Sequence, residues 1–226
     1  MPSSSASRST TPTRPRPADG AAAGEARTAG ARRRSTVEGT ADPALSAAGR
    51  VQAERLATWL AADTPDAVLT SPLRRARETA APLAAALGCS AEVVDGLAEY
   101  DAAAGEYIPI EELRAAKDER WYATIEGRWS DVGGIDPHEF QAQVVPAMES
   151  VIARFPGRRV AVFTHGGVLN VYLAHVLGLD AALWFHPEYT SVSRVHAARS
   201  GQRSVATLNE TAHLYAGREP TQEEAR

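Results

Sequence analysis

The stretch DAVLTSPLRRARETAAPLAAALG, residues 66–88, contains the pattern that decides the fold. Its first part, DAVLT, is a short apolar run after Pro65 and predicts a buried strand. A helix is predicted to follow at once, with Ser71 as its N-cap, Pro72 as its first residue and Gly88 at its end. A buried strand that runs directly into a helix is the unit from which parallel α/β sheets are built.

The same alternation continues on both sides of this stretch. A helix is predicted from Ser46, with Val51, Leu56, Trp59 and Leu60 on its buried face. The remaining predicted elements are strands at 91–94, 158–164, 189–198 and 203–208, and helices at 111–117, 136–154 and 166–179. Because strands and helices alternate, the predicted fold class is α/β, a three-layer sandwich with a mostly parallel central sheet and helices on both faces.

Composition divides the 226 residues into one domain and two tails. The first 36 residues contain no Val, Ile, Leu, Phe, Tyr or Trp, and such a segment buries too little apolar surface to offset its ordering entropy. We therefore predict a disordered or non-homologous tail at 1–36, a domain at 37–216 with a lid-like insertion at about 100–140, and a polar tail at 217–226.

Charge and cysteine content limit the classes of partner. The net charge is −4, although the first 36 residues hold seven arginines against Asp19 and Glu25. The rest of the chain is therefore acidic, which argues against nucleic acid as a partner. No apolar run approaches the roughly 18 residues that span a bilayer, so no membrane segment is expected. The single cysteine, Cys89, fits a reducing compartment and predicts a cytoplasmic location. The oligomeric state is left open.

Two junctions between a strand and a helix carry residues suited to chemistry. Ligands of open α/β sheets collect at the carboxyl ends of strands. At the first junction, Arg74 and Arg75 lie in the first turn of a helix, where cations are normally disfavoured. They indicate either a bound anion or a solvated pair that faces acids elsewhere. At the second, His165 is followed by Gly166 and Gly167, which allow close approach of a ligand. This histidine has two functional interpretations, contact with a phosphate group or proton transfer, and one structural interpretation, a core residue.

Together with Glu99 in GLAEYD, these residues form a set suited to phosphoryl chemistry. An arginine of the first junction offers a planar fork that matches phosphate, Glu99 can act as a general acid, and His165 and Gly166 complete a phosphate-binding and catalytic site. The other histidines lack HExxH or similar spacing, so no metal is predicted. The sequence also lacks P-loop, GxGxxG and GxSxG motifs, and no cofactor is predicted.

Four segments in order resemble the histidine phosphatase superfamily, also called phosphoglycerate-mutase-like. They are ADPALSAAGRVQAERLA (41–57), TSPLRRARETA (70–80), GLAEYD (96–101) and FTHGGVLN (163–170), and the resemblance extends from about Ser35 to Leu214. It implies that Arg75 binds phosphate, that Glu99 is the proton donor, and that His165 is the second active-site histidine. It further implies a first histidine, in an RHG motif after the first strand, that attacks phosphorus and becomes phosphohistidine.

The sequence departs from the family at this first strand. The nucleophile is expected at Arg32, and no histidine precedes His138. The segment EARTAGA (25–31) lacks the apolar residues of a buried central strand, so the first strand is doubtful. Loss of this strand is hard to tolerate, because it would leave a gap in the sheet lined with exposed backbone groups and apolar side chains. Either the protein is a pseudoenzyme, or its first 34 residues come from a shifted reading frame or a mis-assigned start of the gene.

We therefore predict a phosphomonoester hydrolase by descent that is inactive as written, acting on a small phosphorylated metabolite. The alternatives are a non-catalytic pseudophosphatase that binds phospho-ligands and a phosphoglycerate-mutase-type phosphotransferase. Tyr107, Trp121, Tyr122 and Trp129 in the insertion either line a lid over the site or pack within that subdomain.

Overall fold

The computed structural model describes residues 33–34 and 40–215. Most of the predicted tail at 1–36, including Arg32, and the whole tail at 217–226 lie outside these residues.

The order of elements along the chain follows the prediction, with added short elements in the insertion. The strands are β1 Arg33–Arg34, β2 Ala67–Thr70, β3 Glu92–Val93, β4 Glu106–Tyr107, β5 Val160–Phe163, β6 Val192–Ala197 and β7 Arg203–Glu210. The helices are α1 Ala47–Ala61, α2 Arg74–Leu87, α3 Ile110–Ala116, α4 Glu119–Ile125, α5 Pro137–Arg154, α6 Gly166–Leu177 and α7 Ala212–Tyr215. Two 3₁₀ turns cover Asp95–Leu97 and Trp129–Val132.

The central sheet is parallel, as predicted. Its described strands lie in the order β3-β2-β5, with Leu69 of β2 opposite Glu92 of β3 and Val162 of β5. The hairpin β6-β7 is antiparallel and follows the prediction for the C-terminal strands. β1 pairs with β4.

Helices cover both faces of this sheet, which confirms the three-layer α/β fold. On one face, buried residues of α1 and α2 such as Leu56 and Leu83 form an apolar cluster with Val68. On the other face, Phe140 of α5 and Val171 of α6 belong to a second cluster. We call these the α1/α2 cluster and the α5/α6 cluster.

The predicted buried face of α1 is wrong at one position. Val51 is 49% exposed, whereas Ala53, Leu56, Ala57 and Leu60 are buried. The buried stripe is therefore made largely of alanines and leucines, and the small Ala53 and Ala57 allow α1 to approach its neighbours closely.

Helix α2 begins later than predicted. Ser71 is not its N-cap, because the N–H of Ser71 still donates to Phe163 O at 2.9 Å and so continues the pairing between β2 and β5. The cap position belongs to Leu73, whose N–H donates to Ser71 Oγ at 3.2 Å. Gly88 ends the helix in the left-handed conformation at φ 64°, as predicted. This extension of β2 by one residue leaves Ser71 at the carboxyl edge of the sheet.

The aromatic residues of the insertion differ in their surroundings. Trp129 is fully buried and stacks on Tyr100 with ring centroids 4.3 Å apart, so it is a core residue. Tyr107 and Trp121 line the large cavity of the domain, while Tyr122 is 43% exposed. Of the four aromatic residues named in the insertion, Tyr107 and Trp121 are the two placed to contact a ligand in the cavity.

Candidate active site

The three side chains singled out in the sequence line one cavity of about 1610 Å³. Arg75 follows β2, Glu99 follows β3, and His165 follows β5. Because these parallel strands end at the same edge of the sheet, residues from three distant parts of the chain come together there. Gly166, also predicted, lines the cavity at the start of α6.

Arg75 is held by opposite charges and by an aromatic ring. Its side chain is 15% exposed, and its guanidinium nitrogens lie 4.0 Å from Asp42 Oδ1 and 3.9 Å from Asp101 Oδ1. The Tyr107 ring lies 4.7 Å from the guanidinium carbon. Distances near 4 Å are too long for hydrogen bonds, so both carboxylates balance the charge without occupying the donors. The fork of Arg75 thus remains suited to an anion.

His165 is buried and held in one orientation. Its Nε2 lies 2.7 Å from Ser71 Oγ, which joins the carboxyl ends of β5 and β2. Burial and the nearby charge of Arg75 lower the pKa of His165 well below its ordinary value. The imidazole is therefore neutral at physiological pH and can offer one N–H donor to an anion without its own positive charge.

Glu99 lies against the first turn of α6. Its Oε2 accepts from Gly167 N–H at 2.9 Å and its Oε1 from Tyr100 N–H at 3.1 Å. Burial, with the charge of Asp101, raises the pKa of Glu99 to about 7, although these N–H groups and Arg75 act in the opposite direction. A carboxyl group with this pKa is partly protonated at neutral pH, as a general acid must be.

Sequence reasoning missed several contributors to this site. Asp101 lies two residues after Glu99 and faces Arg75. Burial raises the pKa of Asp101 above its ordinary value, although the charge of Arg75 acts in the opposite direction. Asp42 binds the start of α2, where both of its oxygens lie 2.9 Å from Arg74 N–H. No local feature of the sequence indicates Asp42.

The two arginines at the start of α2 turn out to differ. Arg74 is the solvated arginine that pairs with an acidic residue, as one of the two alternatives predicts. It is exposed, and its Nε donates to Glu78 Oε1 at 2.6 Å. The anion at the helix N-terminus is the carboxylate of Asp42, a group of the chain itself. Only Arg75 points into the cavity.

Gly167 has no room for a side chain, and this gives a test of the Glu99 contact. A Cβ on Gly167 would overlap Glu99 Oε1 and lie 2.8 Å from Tyr100 Cδ1. Gly167→Ala is expected to displace the Glu99 carboxyl toward water and return its pKa toward 4.5, with a loss of about 1–3 kcal/mol in unfolding free energy. Carbon-13 NMR titration of the glutamate carboxyls measures the pKa.

Gly166→Ala is the matched control for this substitution. Its Cβ would meet only Pro187 Cγ at 3.5 Å, an ordinary contact. The Glu99 pKa is expected to stay near 7 in this variant. An unchanged pKa in Gly167→Ala as well would contradict the role given to the packing of Glu99 against α6.

The described residues show neither a metal cluster nor a membrane-spanning helix. Residues 33–34 and 40–215 contain no group of three or more His, Cys, Asp or Glu side chains arranged to hold a metal ion. Across the same part of the chain, every helix is too short or too polar to cross a membrane.

Comparison with known proteins adds independent support. Residues 24–211 match the histidine phosphatase superfamily (branch 1). Phosphoserine phosphatase 1 of Hydrogenobacter thermophilus is 27% identical over 190 residues, which cover 78% of this chain and 85% of that protein. The probable phosphoglycerate mutase GpmB of Escherichia coli is 29% identical over 150 residues, or 64% of this chain and 68% of that protein.

A solved structure agrees with this comparison. The mycobacterial glucosyl-3-phosphoglycerate phosphatase in complex with VO3 superimposes with a TM-score of 0.65 and 25% identity, covering 76% of this chain and 90% of that one. The fold, the site and these matches define a phosphatase and phosphomutase class of α/β protein. The chain belongs to the histidine phosphatase superfamily, branch 1.

Proposed function

We propose that this chain binds small phosphomonoesters at the Arg75–Glu99–His165 site, that the site is built for phosphomonoester hydrolysis, and that the chain as written has little turnover. The observation that carries the proposal is the convergence of these side chains in one cavity, with a neutral histidine, an arginine fork and a carboxyl group of pKa about 7. Each supplies a different requirement of phosphoryl transfer.

The division of work follows from the geometry. Arg75 neutralises the charge of the phosphoryl oxygens through its fork, and the His165 ring donates a further hydrogen bond. The protonated Glu99 is suited to donate its proton to the leaving alkoxide oxygen, a step that takes place only when a nucleophile forms a bond to phosphorus as the ester bond breaks. The covalent route through phosphohistidine requires one more histidine as nucleophile, and no histidine precedes His138 in the sequence. Guanidinium cannot replace it, because it stays protonated.

The substrate class is a small phosphorylated metabolite. Tyr107 contacts Arg75, and Trp121 lines the same cavity. Two aromatic rings at this place favour a compact organic group over a polymer. We place the protein in the cytoplasm, in keeping with its single cysteine.

Phosphate binding tests the first half of the proposal. Isothermal titration calorimetry of the full chain with inorganic phosphate is expected to give saturable binding, which His165→Ala weakens by about 10-fold because one hydrogen bond to a charged group is lost. His175→Ala, an exposed histidine on the same helix α6, is the control and is expected to change nothing. Absence of saturable binding in the unaltered chain would overturn the proposal.

Turnover of p-nitrophenyl phosphate tests the second half. Little hydrolysis is expected, whereas clear hydrolysis that disappears in His165→Ala would show an active hydrolase and refute inactivity as written. The phosphotransferase alternative predicts transfer of the phosphoryl group to a second alcohol rather than release of inorganic phosphate. Product analysis in the presence of an added alcohol separates these two reactions.

A further inference from the structure

A series of side-chain contacts joins Arg75 to the loop that precedes β6. The Tyr107 ring lies 4.7 Å from the guanidinium carbon of Arg75. The Tyr107 hydroxyl interacts with the hydroxyl of Tyr189, and the Tyr189 hydroxyl donates to Glu111 Oε2 at 3.0 Å. Both tyrosines line the cavity, whereas Glu111 belongs to α3. The phosphate site is therefore linked through two tyrosines to a carboxylate in the insertion.

Glu111 depends on Tyr189 for its hydrogen bonding. Its Oε2 accepts from the Tyr189 hydroxyl, while its Oε1 is buried and has no hydrogen-bond partner among the residues that the structure describes. Burial, together with the nearby Tyr107 and Glu111, raises the pKa of Tyr189 above its ordinary value, so its hydroxyl stays protonated and can donate. Because a buried carboxylate that loses a donor incurs a desolvation cost, this hydrogen bond is costly to break.

Two asparagines bind the backbone of the loop that carries Tyr189. Asn170 of α6 is buried, and its side-chain amide both accepts from Phe185 N–H and donates to Phe185 O, each at 3.1 Å. Asn209 of β7 accepts from Glu188 N–H at 2.8 Å through its Oδ1. The backbone on the N-terminal side of Tyr189 is thus fixed at two points.

The residue that follows Tyr189 has a strained backbone. Thr190 has a φ of 60°, in the left-handed region that β-branched residues rarely adopt. Its Oγ1 donates to Tyr189 O at 2.7 Å, and Ser191 N–H donates to Glu188 O at 3.0 Å. Strain of this kind persists only where the surrounding structure fixes it, and it is concentrated at functional sites. This tight turn fixes the direction in which the Tyr189 side chain leaves the backbone.

We propose that Tyr189 is a positioning residue of the phosphate site. Its hydroxyl, bound to Glu111, holds the Tyr107 ring over Arg75 and so keeps the guanidinium fork directed at the phosphoryl group. This inference rests on the proposed function, because it assigns a supporting residue to the same site. An arginine fork that is ordered before the anion arrives loses less conformational freedom on binding, so Tyr189 increases affinity without touching the phosphate.

Tyr189→Phe tests the role of the hydroxyl. The substitution keeps the ring and removes the donor to Glu111. We expect inorganic phosphate to bind about 5-fold more weakly in titration calorimetry of the full chain, because one hydrogen bond that orders the site is lost. Tyr122→Phe on α4 is the matched control, since Tyr122 is 43% exposed, and it is expected to change nothing. Equal affinity in Tyr189→Phe and the unaltered chain would overturn the proposal.

A pair of substitutions at Glu111 separates hydrogen bonding from packing. Glu111→Gln keeps an oxygen that accepts from the Tyr189 hydroxyl, so it is expected to retain at least about half of the phosphate affinity. Glu111→Leu fills a similar volume without an acceptor and is expected to weaken phosphate binding about 5-fold, as Tyr189→Phe does. Equal affinities in the two Glu111 variants would contradict the role given to this hydrogen bond.

A double-mutant cycle distinguishes positioning from a general loss of structure. If Tyr189 acts through the Tyr107 ring, Tyr189→Phe is expected to cause no further loss of phosphate affinity in a chain that already carries Tyr107→Leu. A loss of about 5-fold in both backgrounds would mean that the substitution loosens the domain as a whole. That result would overturn the proposal.

The order of the Arg75 side chain gives a readout that needs no ligand. Nitrogen-15 relaxation of the Nε–H group in the ligand-free chain measures its order parameter. We expect the order parameter of Arg75 to fall in Tyr189→Phe, while that of Arg120, whose Nε donates to Asp118 Oδ1 at 2.9 Å, stays unchanged. An unchanged Arg75 order parameter would overturn this proposal. Absence of phosphate binding in the unaltered chain would instead overturn the proposed function.

Discussion

Arg75→Ala is expected to weaken phosphate binding about 100-fold. An arginine that holds an anion through two charge-assisted hydrogen bonds contributes at least about 3 kcal/mol, which corresponds to two orders of magnitude in the dissociation constant. Arg75 is suited to this role because it is largely buried, is oriented by the Tyr107 ring, and faces Asp42 and Asp101 at distances that leave its donors available. Titration calorimetry with inorganic phosphate measures the effect.

Arg74→Ala is the matched control for this prediction. Arg74 is the adjacent residue and has the same charge, but its side chain is 60% exposed and pairs with Glu78. If only long-range charge mattered, Arg74→Ala and Arg75→Ala would weaken phosphate binding equally. Because the fork of Arg75 binds the phosphate directly, we expect a much larger loss of affinity in Arg75→Ala. Arg75→Lys keeps the charge and loses the fork, so its affinity is expected to lie between those of the original chain and Arg75→Ala. Equal losses in Arg74→Ala and Arg75→Ala would contradict this account of the site.

Glu99→Gln is expected to change how stability depends on pH. The pKa of Glu99 is about 7 in the folded chain and near 4.5 when unfolded. The folded state therefore binds more protons between these values, and the unfolding free energy falls as pH rises from about 4.5 to 7. The shift corresponds to about 3 kcal/mol at 1.4 kcal/mol per pH unit. Water in the adjoining cavity screens part of it, so we expect roughly 2 kcal/mol.

Glutamine resembles the protonated carboxyl and removes this titration. The gain in unfolding free energy from Glu99→Gln is expected to be roughly 2 kcal/mol larger at pH 8 than at pH 4.5. Urea denaturation at the two pH values measures it. Glu54→Gln on the exposed face of α1 serves as the control. The same gain at both pH values would mean that Glu99 is not partly protonated near neutrality, and a different proton donor would then be required.

The site shows how far local sequence reasoning extends. Arg75, His165 and Gly166 are predicted at strand–helix junctions, and Glu99 in GLAEYD is grouped with them as one phosphoryl site; all four line the cavity. This prediction was possible because the ends of parallel strands share an edge whatever the details of packing. The doubtful first strand at 25–31, by contrast, lies outside the described residues and stays a prediction.

Other features depended on contacts between distant residues. Ser71 has the sequence context of an N-cap, but its N–H pairs with β5 and its hydroxyl orients His165. Asp42 lies more than 30 residues from Arg74 in sequence and binds its N–H. The sequence allows Trp129 to be either a lid residue or a packed residue, and in the structure Tyr100 and Phe140 pack against its ring. In each case a local pattern allows several partners, and the fold selects one.

The sequence by itself determined the α/β architecture, the family and the residue types of the site, since these depend on periodicity and on short motifs. Only the tertiary structure decided that His165 is neutral and that Glu99 has a pKa of about 7. Protonation depends on burial and on charges that arrive from other elements, which the local sequence does not specify.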